Sequence, residues 1–228
     1  VASGDSLERA PLEEGKPSPG GSLFVPLTLQ PGERRTVRLM LTWFVPETNL
    51  TVGVPEDGQG RRAPRFHKPW YAGAFADVHD VSAYWMREYE RLRRESERFA
   101  DSFYDTTMPA EAVEAAAANL AILKSPTVLR QTDGRIWGWE GCHDKGGSCP
   151  GTCTHVWNYA QSIPHLFPEL ERGMRDTELR YGLDRRGHQT FRIPLPIQLA
   201  EDHSYHAASD GQLGGIVKTY REWRIGGD

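Results

Sequence analysis

The hydrophobic period changes once along this chain, and that change restricts the fold more than any single motif. Leu23, Val25, Leu27 and Leu29 alternate with other residues, Pro31-Gly32 supplies a turn, and Val37, Leu39, Leu41 and Trp43 alternate again. A period of two on either side of a Pro-Gly turn predicts two strands, and two strands alone are too few for a stable sheet. From Asp77 onward the spacing becomes helical. Val81, Trp85, Tyr89, Leu92, Phe99 and Phe103 fall on one side of a helix that Asp77 or Asp80 can cap. Its RLRRESER run reads as a solvated face. Strands first and helices later predict a mixed architecture, a β domain joined to an α domain, rather than an alternating α/β fold. The expected boundaries are strands in 1–46, a linker or loop in 47–76 and helices in 77–228.

Within the helical part, Pro109 starts a second helix with Val113, Ala117, Leu120 and Ala121 on its apolar stripe, and Ser125-Pro126 ends it. Thr127–Gln131 is strand-like, Asp133-Gly134 marks a turn, and Arg135–Glu140 returns. Thr154–Tyr159 opens an aromatic helix that Pro164 should end or kink, and Pro168 starts another. Ser209 or Asp210 caps a last helix that Gly226-Gly227 terminates. In the expected linker, Lys68-Pro69-Trp70-Tyr71 is aromatic and reads as an ordered loop or a cleft lining.

Composition excludes some classes of function. A net charge of -4 without a dominant basic stretch argues against a nucleic-acid surface. No run of about 18 apolar residues is present, so no membrane span is expected. The chain opens on Val1 and reads as a fragment cut at both ends. A cytoplasmic location is the expectation, with any targeting signal lying upstream. Seven tryptophans are compatible with sugar binding, since sugar C–H faces stack on rings, although core packing also explains them. No cofactor is expected.

The chemically densest stretch runs from Trp137 to Pro168. It holds an aromatic run ending on Glu140, a Gly-rich loop with all three cysteines, and an aromatic segment through Thr154 and His155. Two readings stay open at this point. Cys142, Cys149, Cys153 and His155 offer sulfur and nitrogen to a structural zinc, but the paired short knuckles of such sites are absent. The same thiols could form a local disulfide or stay reduced. Alternatively Glu140, beside Trp139, is a catalytic carboxylate with an aromatic sugar platform. A retaining glycosidase needs such a nucleophile and a second carboxyl about 5 Å away.

A resemblance bears on that choice. WEG at 139–141, TCTHVWNY at 152–159, LFPELERGMR at 166–175 and the tail DGQLGGIVKTYREWRIGGD resemble, in order and spacing, segments of glycoside hydrolase family 116. This is the family of non-lysosomal glucosylceramidase and β-glucosidases. The strands at 23–45 look like the end of that family's N-terminal β-sandwich, and the helices look like the first part of its (α/α)6 toroid. The resemblance implies a retaining β-glycosidase, most simply a β-glucosidase, acting on a carbohydrate or glycolipid. It places the nucleophile on Glu140 and substrate contacts on Trp139, Thr154 and His155. The acid/base Asp would lie beyond residue 228. His155 stands where the family has an Asp, the cysteine loop is longer, and the family's I-P-H-D segment has no match at Ile193–Pro196, His203 or His206. A catalytically degenerate sugar-binding homologue is therefore the alternative, with the Cys/His metal module behind it.

Overall fold

The structure is a computed structural model that describes residues 15–16, 22–54, 66–143, 146–199 and 208–227. The chain divides into two compact units, Val1–Leu41 and Thr42–Asp228.

In the first unit the Pro31-Gly32 turn forms as expected. Glu33 N–H donates to the Gln30 carbonyl at 2.9 Å, and the Gln30 N–H donates back to the Glu33 carboxylate at 3.0 Å. Gly32 has φ +80, the conformation that Pro-Gly turns require at their third residue. The flanking residues are extended, but among the described residues no ladder joins them. Leu23, Val25, Leu27, Leu29, Val37 and Leu39 are exposed. The alternation is therefore a pattern for a sheet face that this unit by itself does not bury.

The second unit contains seven α-helices and two small antiparallel sheets among the described residues. Helix α1 covers Trp70–Ala74 and α2 covers Val78–Tyr104. Asp77 caps α2, its carboxylate accepting from the N–H groups of His79 and Asp80 at 2.8 Å. The RLRRESER run is a solvated ladder in which Arg91 reaches Glu88 and Glu95 while Arg93 reaches Glu97. Such exposed pairs add little stability. Helix α3 covers Ala110–Leu120 and runs into a tight turn at Ala121–Lys124.

The strands that do form lie later than the period of two suggests. Strand β1 (Val128–Arg130) pairs with β2 (Ile136–Gly138), Leu129 standing opposite Trp137. The first part of the Gly-rich cysteine loop pairs as a second hairpin of β3 (Gly141–His143) and β4 (Gly146–Ser148). Here glycine is required by close approach rather than by turn geometry. A Cβ on Gly147 would lie 2.6 Å from the Gly141 carbonyl oxygen and 2.7 Å from the Trp139 ring.

Strand β2 is buried at all three positions and divides the core. Because strand neighbours point to opposite faces, Ile136 joins Trp157, Ile163 and Met174, whereas Trp137 joins Trp139, Ile193 and Leu195. The Trp137 indole N–H donates to the Ile193 carbonyl at 2.8 Å, so this fully buried ring leaves no unpaired donor.

The aromatic helix expected from Thr154 to Pro164 breaks in two, α4 (Thr154–Trp157) and α5 (Ile163–Leu166). Pro164 sits in the first turn of α5, where its missing N–H is not needed, so the proline restarts a helix rather than ending one. Helix α6 covers Pro168–Tyr181 and α7 covers Ser209–Gly226. Gly227 closes α7 at φ +78. The cap expected at Ser209 or Asp210 does not form. Ala208 occupies the N-cap position, and no side chain bonds the helix start.

The stretch expected as a linker is packed into this unit. Thr48 bridges His67, Val52 exchanges both backbone bonds with Leu195, and Pro69 bridges Gln131. Val54 is buried, and the Arg130 guanidinium lies 4.7 Å above the Trp70 ring. Among the described residues no helix is long and apolar enough to cross a membrane.

Candidate functional site

The backbone around Glu140 is pinned on two sides. Trp139 N–H donates to the Thr127 carbonyl at 2.9 Å, and Glu140 N–H donates to the Ser148 carbonyl at 3.0 Å. The chain thus leaves the first sheet and enters the second within two residues, and the Glu140 side chain is exposed at the junction. Trp139 is almost buried and meets Trp137 edge to face, with centroids 4.9 Å apart at 88°. Beside them opens a cleft of about 290 Å³ lined by Trp139, Glu140, Val156, Tyr159 and, across it, Asn119 and Ile122. Tyr159 is 73% exposed, so its ring face is available to a ligand. Among the described residues lining the cleft, Glu140 is the one carboxylate.

The other expected contacts point elsewhere. Thr154 is buried beneath the start of α7, its N–H donating to the Phe191 carbonyl at 3.0 Å. The exposed His155 ring bonds through Nδ1 to the Asp210 carboxylate. So the structure brings Trp139 and Glu140 together and turns Thr154 and His155 towards α7. His203 and His206 lie outside the described residues.

All three cysteines are free thiols, and among the described residues no group of three His, Cys, Asp or Glu side chains could hold a metal ion. Cys153 is buried at the start of α4. The Cys142 Sγ is 4.0 Å from the Thr127 hydroxyl. Cys149 lies 3.6 Å from Arg192. Burial pushes the Cys149 thiol up, only partly opposed by that guanidinium. Neither the metal reading nor the disulfide reading gains support from this geometry.

Sequence reasoning missed a buried ionic cluster between α6 and α7. Arg175 donates to Glu171 at 3.1 Å and also to Glu178; Arg221 donates to Glu171 at 2.8 Å. Lys218 lies 3.4 Å from the Glu178 carboxylate, and Gln189 donates to Glu178 at 3.0 Å. Glu171, Arg175, Glu178, Lys218 and Glu222 are all nearly inaccessible. Glu171, Arg175 and Glu178 stand four and three residues apart, which marks one face of α6, but a charged face ordinarily signals solvent.

Burial, then the charges of Arg175 and Arg221, push Lys218 down to about 7, which the pull of Glu171 and the Glu178 contact do not offset. Between about pH 7 and the ordinary lysine value of 10.5 the unfolded chain binds a proton that the folded chain lacks. Stability should therefore rise with pH across this window, by up to about 1.4 kcal/mol per pH unit from this group. The penalty for burying charged Lys218 is complete below pH 7. Urea unfolding at a series of pH values should show that slope in the wild type and a flatter curve in Lys218→Met.

The exposed Glu140 carboxylate thus stands at the edge of an aromatic cleft, and comparison with known families bears on the part of the chain that precedes it. Residues 3–92 match the family model described as beta-glucosidase 2, glycosyl-hydrolase family 116 N-term. The matched segment, less than half of the chain, is similar to the N-terminal part of glycoside hydrolase family 116. The match reaches into α2, and Glu140, Trp139, Thr154 and His155 lie beyond it. No curated protein matches the chain.

Proposed function

We propose that the protein carrying this chain is a retaining β-glycosidase, in the first place a β-glucosidase, with Glu140 as its nucleophile. The extended segments at 23–45 then belong to a β-sandwich and the helices to part of an (α/α)6 toroid. The observation that carries the reading is the placement of Glu140. Its backbone N–H bonds Ser148 of β4, that of its neighbour Trp139 bonds Thr127, and its exposed side chain lines an aromatic cleft of about 290 Å³.

In the first step a Glu140 oxygen attacks the anomeric carbon, and the bond to the leaving oxygen breaks as a second carboxyl protonates that oxygen. Water then attacks the glycosyl-enzyme, giving a proton back to the second carboxyl and releasing Glu140 as carboxylate. That second group is the Asp that the family resemblance implies beyond residue 228. The Tyr159 ring and the Trp139 edge serve as the apolar platform for the sugar. Glucosylceramide-like glycolipids and simple β-glucosides are both within the substrate class.

A 2-deoxy-2-fluoro-β-glucosyl fluoride tests the assignment, because the fluorine slows the second step and the glycosyl-enzyme accumulates. Intact mass should rise by one fluoroglucosyl unit, and the modified peptide should contain Glu140. Turnover with the label on another carboxylate overturns the nucleophile. Binding of β-glucosides without label or turnover favours a degenerate sugar-binding homologue instead.

A further inference from the structure

We propose that Asn119 and Trp157 orient the ligand of the Glu140 cleft, the Asn119 side-chain amide and the Trp157 indole N–H together holding one hydroxyl of the sugar ring. That the ligand is a sugar rests on the proposed function; the two unpaired polar groups in the cleft lining do not.

Both residues line the cleft with Glu140. Asn119 is the penultimate residue of α3 and is half-buried. Its side chain makes no hydrogen bond to another described residue, so its carbonyl oxygen and its NH₂ group are both unused. Trp157 ends α4 and is only 4% exposed, and its indole nitrogen is buried with no hydrogen-bond partner among the described residues. A buried donor left unpaired carries its full desolvation penalty, and such groups in native proteins usually answer to a ligand, ion or water. The ring cannot turn to reach a protein acceptor instead. A Cβ on Gly138 would collide with it, and it packs in one cluster with Ile136, Ile163 and Met174.

A hydroxyl matches this pair because it both accepts and donates. Its oxygen takes the indole N–H, and its hydrogen goes to the Asn119 carbonyl oxygen. A carboxylate or phosphate only accepts, would leave that carbonyl unpaired, and would bring a second negative charge beside Glu140. Ala118, Ile122, Val156 and Ala160 give the cleft only apolar side chains, and in a largely apolar pocket the few polar groups set the orientation of the ligand. Glu140 is engaged with the anomeric carbon in the proposed reaction, so the angle at which the ring enters falls to Asn119 and Trp157.

The test uses the full-length protein with 4-nitrophenyl β-D-glucoside and its monodeoxy analogues. Asn119→Ala should lower kcat/KM for the parent glucoside about tenfold, the worth of one hydrogen bond. One monodeoxy analogue should be slow on the wild type by a similar factor and should lose no more than about twofold further in Asn119→Ala, because the bond is already missing. Equal losses on every analogue, or no loss on the parent, overturn the Asn119 contact. The Trp157 indole N–H resonance, assigned by its proximity to the Gly138 protons, should move downfield when the Glu140→Gln protein is saturated with the parent glucoside. An unmoved signal in the saturated protein overturns the Trp157 contact. This shift needs no turnover, so it is read separately from the fluoroglucosyl label, whose absence from Glu140 counts against the glycosidase reading.

Discussion

Glu140→Gln is expected to lower turnover of a β-glucoside on the order of 10⁴-fold, equivalent to about 5 kcal/mol of barrier. The amide keeps the size of the side chain and can still hydrogen-bond, but it cannot form an acylal-type bond to the anomeric carbon at a useful rate. The Glu140 backbone bond to Ser148 and the packing of Trp139 do not involve the carboxylate. The variant should therefore fold as the wild type does, and its sugar affinity should stay within a few fold. Steady-state kinetics with thermal unfolding on the same sample check both halves. Near-normal turnover in a folded Glu140→Gln protein would remove Glu140 from the reaction.

The largest stability effect is expected at Arg175. Arg175→Met removes the guanidinium that joins Glu171 and Glu178 inside the α6–α7 cluster. Arg221 and Lys218 remain, but Lys218 is itself hard to charge there. Two buried carboxylates would then share too little positive charge, and breaking one partner of such a group costs about 3–5 kcal/mol. Both Glu222 oxygens already lack a hydrogen-bond partner, and burial with the Glu171 charge pushes that carboxyl up, so the cluster has no spare cation to lend. Adding Glu178→Leu to Arg175→Met should recover part of the loss, because the unpaired carboxylate disappears with it. Urea midpoints of the two variants decide the point. A double variant less stable than the single one would mean that packing, rather than charge balance, sets the cost.

The local rules were legible in residue order because they depend on neighbours along the chain. Asp77 at the start of α2, the solvated Arg/Glu face of that helix, the Pro31-Gly32 turn and Gly227 beyond α7 all act within four residues. The β1–β2 hairpin around Asp133-Gly134 belongs to the same group. The break between α4 and α5 was legible only in part, since a proline can end a helix or begin one and its sequence does not say which.

Glu140 stood out in the sequence because a carboxylate after a run of tryptophans is an unusual neighbourhood, and its family resemblance named a role for it. What it faces was not readable there, because the cleft is assembled from α3, the β2–β3 junction and α4. His155 was read as a contact for the sugar from its place in the order of motifs. Its link to Asp210, 55 residues away, required knowing how closely α7 approaches α4.

The sequence by itself determined the capped start of α2 and the Pro31-Gly32 turn, which residues could do chemistry, and which family model residues 3–92 match. Tertiary structure alone decided that Thr48, Val52, His67 and Pro69 of the expected linker are bridged into the helical unit, that Gly141–Ser148 pairs as a hairpin, and that the charged face of α6 is buried against α7. The physical reason is common to all three. Backbone bridges, glycine-limited approaches and buried ion pairs are made between segments far apart in the chain, and periodicity reports only which face is apolar, never what lies against it.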